Sequence, residues 1–176
     1  FRPQAESIDG VSRAAEKGVQ GGAAPKGKLG DPRQYSWKRP PDFLGDSYQV
    51  FVEGLIPSDV CQGSLGNCWF MCSLASLAEF PHLIEKLYES SWSDTPDGRV
   101  AVGGACEHGA YEVTICKNGA WTPVRVDDFF PCRPGEGNGP VFSRASGPEL
   151  WVLLMEKAYA KLHGSYFALR SGVCFE

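Results

Sequence analysis

The chain has 176 residues, 43% of them hydrophobic and 22% charged, with a formal charge of −4 at pH 7. That balance suits one domain of ordinary size with a buried core and a modest tail. It leaves no basic footprint for nucleic acid, and no apolar run approaches the roughly 20 residues that cross a bilayer, so neither a nucleic-acid partner nor a transmembrane segment is expected. The N-terminus, Phe1-Arg2-Pro3, has no initiator methionine and no apolar stretch of a signal peptide; it reads as an excised or processed piece.

Residues 1–30 are rich in Gly, Ala, Lys and Glu. They read as a flexible linker, because they hold too little apolar surface to offset the entropy of ordering. The folded unit is expected over 31–176, with its first aromatics and prolines at Tyr35-Ser-Trp-Lys-Arg39-Pro40. Cys68 to Glu79 (CWFMCSLASLAE) is predicted to be a helix. Its apolar residues lie nearly all round, which implies a central, buried position. Asn67 suits the N-cap, and Pro81 ends the helix. A second, short helix is predicted over Pro81 to Tyr88. Ala110 to Lys117 and Ala120 to Val126 flank Asn118-Gly119, the pair that supplies the positive φ angles of a type I′ hairpin turn. Pro148 to His163 is predicted to be a helix with Pro148 at its first position, a stripe of Leu150, Trp151, Leu154, Ala158 and Leu162, and Gly164 as its stop. Helices early and late with antiparallel strands between them give an α+β class with a helical bias.

The seven cysteines are Cys61, Cys68, Cys72, Cys106, Cys116, Cys132 and Cys174. An odd number cannot all pair, and none forms a C-x-x-C element. Unpaired thiols without a secretory signal suit a reducing, cytoplasmic location. Most of them, Cys72 included, are expected to be small buried apolar side chains. A metal set from Cys61, Cys68 and Cys72 matches no structural zinc spacing.

The chemically informative segment is Asp59-Val-Cys-Gln62-Gly63-Ser-Leu-Gly66-Asn67-Cys68-Trp69-Phe70. Gly63 and Gly66 allow a tight loop and close approach to a ligand. The loop ends at a cysteine that opens a helix, where free N–H groups and the helix dipole stabilise a thiolate, the nucleophilic form of the side chain. The Cys68 N–H and the Gln62 amide across the loop can both face a developing oxyanion. Taken alone, a cysteine at a helix start is more often a packing residue than a nucleophile.

The whole string shifts that balance. Gln62-Gly-Ser-Leu-Gly-Asn-Cys-Trp69 resembles the Q-G-x-L-G-D-C-W nucleophile signature of the calpain family, calcium-dependent intracellular cysteine proteases. Three further segments resemble family elements in order: Tyr35 to Pro40 its W-x-R-P element, Gly119 to Pro131 its G-x-W-x-x-V-x-V-D-D-x-x-P hairpin, and Glu149 to Tyr166 its E-x-W-x-x-L-L-E-K-A-Y-A-K-x-x-G-S-Y helix. The resemblance spans roughly residues 35 to 172 and implies the N-terminal lobe of a papain-like protease core. Cys68 matches the nucleophile, Gln62 the oxyanion-hole glutamine, and Trp69 and Gly66 the environment beside them. The family's calcium ligands match Val52, Gly54, Asp59 and Glu149, a set of hard oxygens that would bind weakly to moderately.

Two departures matter. Asn67 stands where the family has Asp, and still suits a cap. Pro57 stands where the family has an arginine linking the calcium site to the other half of the core, so that activation route lacks its arginine. A cysteine protease also needs a His base and a group to orient it. The resemblance puts these in a second lobe, in segments like H-A-Y and N-P-W-G that this sequence does not contain. His82, His108 and His163 read as structural or surface residues. The expectation is therefore a nucleophile-bearing lobe that cuts intracellular proteins only with a second lobe carrying His and Asn, and is inactive alone. The alternative is a pseudoprotease module that keeps the fold and acts by binding.

Overall fold

In the computed structural model, residues 34–52, 54–88, 106, 108–135 and 139–172 are described; the expected linker over 1–30 lies outside them. The elements run β1 (Ser36–Lys38), α1 (Pro41–Leu44), a 3-10 turn (Pro57–Asp59), α2 (Cys68–Ala78), α3 (Pro81–Leu87), β2 (Ala110–Lys117), β3 (Ala120–Asp127), β4 (Phe130–Cys132), α4 (Trp151–His163) and a 3-10 turn (Phe167–Leu169). The expected α+β mixture is present.

The hairpin forms as the sequence predicts. β2 and β3 pair antiparallel from Ala110↔Asp127 to Lys117↔Ala120. Asn118 and Gly119 take φ of 53° and 78°, the left-handed pair that lets the turn follow the strand twist. Tyr111, Val113 and Ile115 of β2 point inward, with Val124 and Val126 of β3, the period-two alternation of a half-covered sheet. β1 and β4 form a second two-stranded antiparallel sheet with Trp37 opposite Pro131.

The central buried helix is α4, a correction to the expectation that the Cys68 helix would hold that place. Trp151 through Ala158 are all buried. In α2 only Phe70, Met71, Leu74 and Ala78 are buried, while Cys68, Cys72 and Ser76, four residues apart, form an exposed stripe. Small and thiol side chains at that spacing give one face too little apolar area to demand covering. α4 also begins three residues later than predicted. The backbone here instead pairs with 49–50, with Glu149 bridged parallel to Gln49: the Gln49 and Leu150 amides donate to the Pro148 and Gln49 carbonyls at 3.0 Å, and the Trp151 amide to the Val50 carbonyl at 3.0 Å. Gly164, at φ 103°, closes the helix as expected.

The thiols also depart from expectation. Of the six described cysteines, all free, only Cys132 is buried; Cys68, Cys72 and Cys116 are exposed. Cys72 lies on the open stripe of α2, and Cys116 falls on the outward phase of β2. Among the described residues no helix is long and apolar enough to cross a membrane.

Charged side chains tie α4 and β1 to the end of the hairpin. Lys157 is fully buried, and its Nζ donates to Asp127 Oδ1 and to the Phe129 carbonyl, both at 2.5 Å. Arg39 grips Asp128 through Nε at 2.9 Å and Nη2 at 2.8 Å, a fork-shaped donor on a planar acceptor. Lys161 Nζ reaches the Arg125 carbonyl at 2.5 Å. Removing Lys157 takes the ion partner from Asp127, whose side chain is 30% exposed, and opens a cavity in the core. Lys157→Ala is expected to lower unfolding free energy by about 3 kcal/mol, read from the urea midpoint. A change under about 0.5 kcal/mol, the range of ordinary surface substitutions, would show that the pair contributes nothing.

Candidate active site

The loop before α2 is held from one side by residues 141–144. Cys61 and Arg144 exchange backbone hydrogen bonds at 2.9 Å in each direction, and the Ser64 amide and hydroxyl both donate to the Val141 carbonyl, at 2.9 and 3.0 Å. The Val141 amide in turn donates to the Pro131 carbonyl at 2.9 Å, next to β4. Gly63 is required because a Cβ there would lie 1.4 Å from the Phe142 carbonyl oxygen. Its close approach is to the protein's own chain. Gly66 is required for a different reason: its φ of 76° has open space around it, so backbone conformation alone selects glycine.

The loop delivers Cys68 to the first position of α2, exposed to solvent. The Phe70 and Met71 amides donate to the Asn67 carbonyl at 3.0 and 3.1 Å, so the amides of Cys68 and Trp69 precede these first helical bonds. Gln62 is exposed on the same loop. Trp69 is half-buried: its indole N–H donates to the Leu169 carbonyl at 3.0 Å, and a Cβ on Gly172 would touch its ring at 2.5 Å. The expected cap is absent. Asn67 makes no side-chain bond to the helix amides; it is buried, and its Nδ2 donates to Glu156 Oε1 at 2.8 Å. Glu156 Oε2 also accepts from the Ser143 amide at 3.0 Å and hydroxyl at 2.7 Å. Burial raises the Glu156 carboxyl above the ordinary glutamate range, and these donors oppose the rise. Glu156 and Ser143 were not expected at the site. The signal for Glu156 is that it and Lys157 interrupt an apolar helical run.

Of the residues expected to hold calcium, Glu149 is bridged to Gln49, and Val52 and Asp59 lie close enough to act on its carboxyl. Asp59 and Glu149 are both buried. Asp59 Oδ2 accepts from the Ile56 amide at 2.9 Å, and Oδ1 from the Ser146 hydroxyl at 2.9 Å. Glu149 accepts from the Trp151 indole at 2.9 Å and from the Val52 amide. Burial first, and the negative charge of Asp59 second, push the Glu149 carboxyl above its ordinary value. Gly54, at φ 85°, turns the chain just beyond Val52. Glu149 precedes α4, whose N-cap is Leu150, so a first-turn dipole role does not account for it. Among the described residues no three His, Cys, Asp or Glu side chains gather, so a cation here would rely on two carboxylates and backbone carbonyls.

His82 is exposed within α3, His108 is exposed in a turn, and His163 stacks on Tyr159 at 4.4 Å and 18°.

A thiol at the head of a helix, on a glycine-pinned loop that also carries a glutamine, has the form of a cysteine-nucleophile site. The profile of the calpain family cysteine protease matches residues 15–176. The chain is 40% identical over 144 residues to the calpain-type cysteine protease DEK1 of Arabidopsis thaliana, covering 78% of this chain and 6% of that protein. It is 39% identical over 137 residues to calpain-12 of Mus musculus and 37% identical over 137 to the calpain-1 catalytic subunit of Homo sapiens, covering 77% of this chain and 17% of each relative. The chain belongs to the calpain family of cysteine proteases, and spans a small part of the length of these relatives.

The loop geometry makes Gly63 a sensitive position. Gly63→Ala forces Val141–Phe142 away from the loop and is expected to lower stability by about 1–3 kcal/mol through overpacking. Thermal unfolding checks it; an unchanged midpoint would mean that 141–144 yields freely.

Proposed function

We propose that this chain is the nucleophile-bearing lobe of a calcium-dependent cysteine endopeptidase with a papain-like core, and that it hydrolyses protein substrates only together with a second lobe carrying His and Asn. The observation that carries this is the exposed Cys68 at the head of α2 on the same pinned loop as the exposed Gln62. In the reaction the Cys68 thiolate attacks a peptide carbonyl, the Cys68 N–H and Gln62 amide hold the oxyanion, and the acyl-thioester is hydrolysed by water. The His of the second lobe takes the thiol proton and returns it to the leaving amine. Free thiols support a reducing, cytoplasmic setting.

The chain alone is expected to show no turnover of a fluorogenic peptide. Joined to a second lobe that carries His and Asn it should turn over, and Cys68→Ala should abolish that activity. Steady turnover by the isolated lobe would overturn the two-lobe reading. Absence of turnover in the joined protein would leave a binding scaffold.

Val52, Gly54, Asp59 and Glu149 fit calcium, since two buried carboxylates raise each other's energy and a hard dication relieves both. Pro57 opens the 3-10 turn before Asp59 and brings no charge, so calcium acts here on the stability of the lobe. The sign with pH follows from the raised Glu149 value. The fold keeps that proton to higher pH than the unfolded chain does, so ionised Glu149 weakens the calcium-free fold above its raised pKa. That penalty fades as pH falls toward the ordinary glutamate range. Calcium needs the ionised form. Millimolar calcium is therefore expected to raise the Tm at neutral pH, to raise it less as pH falls through the Glu149 titration, and to do nothing in Glu149→Gln. Equal Tm in calcium and chelator at neutral pH would refute the site.

A further inference from the structure

We propose that Glu156 is a positioning residue for the nucleophile loop: its buried carboxylate joins the two supports that set where Cys68 and Gln62 stand relative to each other. The proposal rests on the peptidase reading for its purpose, though not for its test.

Glu156 lies inside the run Trp151–Ala158 of α4 that is buried throughout. Its Oε1 takes Asn67 Nδ2, the residue directly before Cys68. Its Oε2 takes the amide and hydroxyl of Ser143. Ser143 belongs to the same short segment that pins the other end of the loop, where Cys61 and Ser64 flank Gln62 and Gly63. One side chain thus bridges the two ends of the segment that carries the glutamine and the thiol.

Asn67 makes the point sharper. Its amide has one side-chain hydrogen bond, and its Oδ1 is buried without a partner among the described residues. With φ −108° and ψ 39°, its backbone lies outside the extended form that lets an N-cap side chain reach the amides of its own helix. The residue at the cap position is therefore oriented by α4 and not by α2. The head of α2 takes its place from the core helix. A carboxylate suits this seat because it accepts from all three donors and brings no N–H of its own; a glutamine there would set its amide against one of them.

The test compares Glu156→Gln, Glu156→Ala and Ser143→Ala in the full 176-residue chain. The first readout is hydrogen exchange at the Cys61, Ser64, Phe70 and Met71 amides, with the Val113 and Val124 amides of the hairpin as reference. Loss of a charge-assisted seat is expected to speed exchange at the first four about tenfold relative to the hairpin in the Glu156 variants, and less in Ser143→Ala. A general loss of stability would move all six together. The second readout is the ratio of Cys68 to Cys72 alkylation by iodoacetamide, measured by mass spectrometry. Cys72 sits one turn along the same exposed face and serves as the internal control. Replacing Glu156 removes no positive charge that could stabilise the Cys68 thiolate, so a falling ratio reports lost seating. Loop-specific exchange together with a falling ratio supports the proposal. Uniform exchange, or a ratio that holds or rises, overturns it. Should the Glu156 variants fail to fold, Ser143→Ala decides by the same two readouts. Neither measurement uses turnover, so failure of the joined protein to cleave peptides would refute the peptidase reading and leave this one to stand or fall separately.

Discussion

Glu156 and Lys157 stand side by side on α4 with 3% and 0% of their surface exposed, and the rest of the fold is arranged to meet them. Neither ion can be left bare at that depth. Lys157 draws in Asp127 and the Phe129 carbonyl from the end of the hairpin, and Glu156 draws in Asn67 and Ser143 from the loops beside the thiol. Arg39 extends the connection by gripping Asp128, which brings β1 to the same corner. Four stretches far apart in sequence are thus fastened by charge to one helix. The apolar faces of α2 and the hairpin then pack around that helix, with the Phe70 ring 4.6 Å from Tyr159.

This explains what the recurring strings in the sequence are for. The E-K-A-Y-A-K run of α4, the V-D-D of the hairpin and the R-P before α1 read, from sequence, as resemblances without a role. In the fold, Arg39–Asp128 and Lys157–Asp127 are contacts between those strings, and Glu156–Asn67 joins the α4 string to the loop before Cys68. Their side chains hold the lobe together around the loop that carries Cys68.

What could be read from sequence was local. Asn118-Gly119 fixes its turn by φ preference, Gly164 stops its helix the same way, and the alternation in β2 selects its buried face. What could not be read depends on partners distant along the chain. Pro148–Leu150 look like a helix start until the pairing with 49–50 claims their backbone groups. The apolar count of α2 suggests burial all round, but a stripe of Cys and Ser four residues apart leaves one side open. Asn67 looks like a cap, and becomes a link to α4 because a buried carboxylate competes for its amide. At the site itself Cys68, Gln62 and the two glycines were legible. The reason for Gly63, a carbonyl from Phe142 pressed against it, was not, since nothing in the sequence pairs 61–64 with 141–144.

The open stripe on α2 also governs how active molecules could be counted. Among the described residues a small electrophile offered to this lobe meets three exposed sulfurs, at Cys68, Cys72 and Cys116, and two of them share a helix face one turn apart. Stoichiometric labelling would therefore overstate the number of competent sites. A titrant that discriminates must take its selectivity from a peptide-length recognition element and not from thiol reactivity alone.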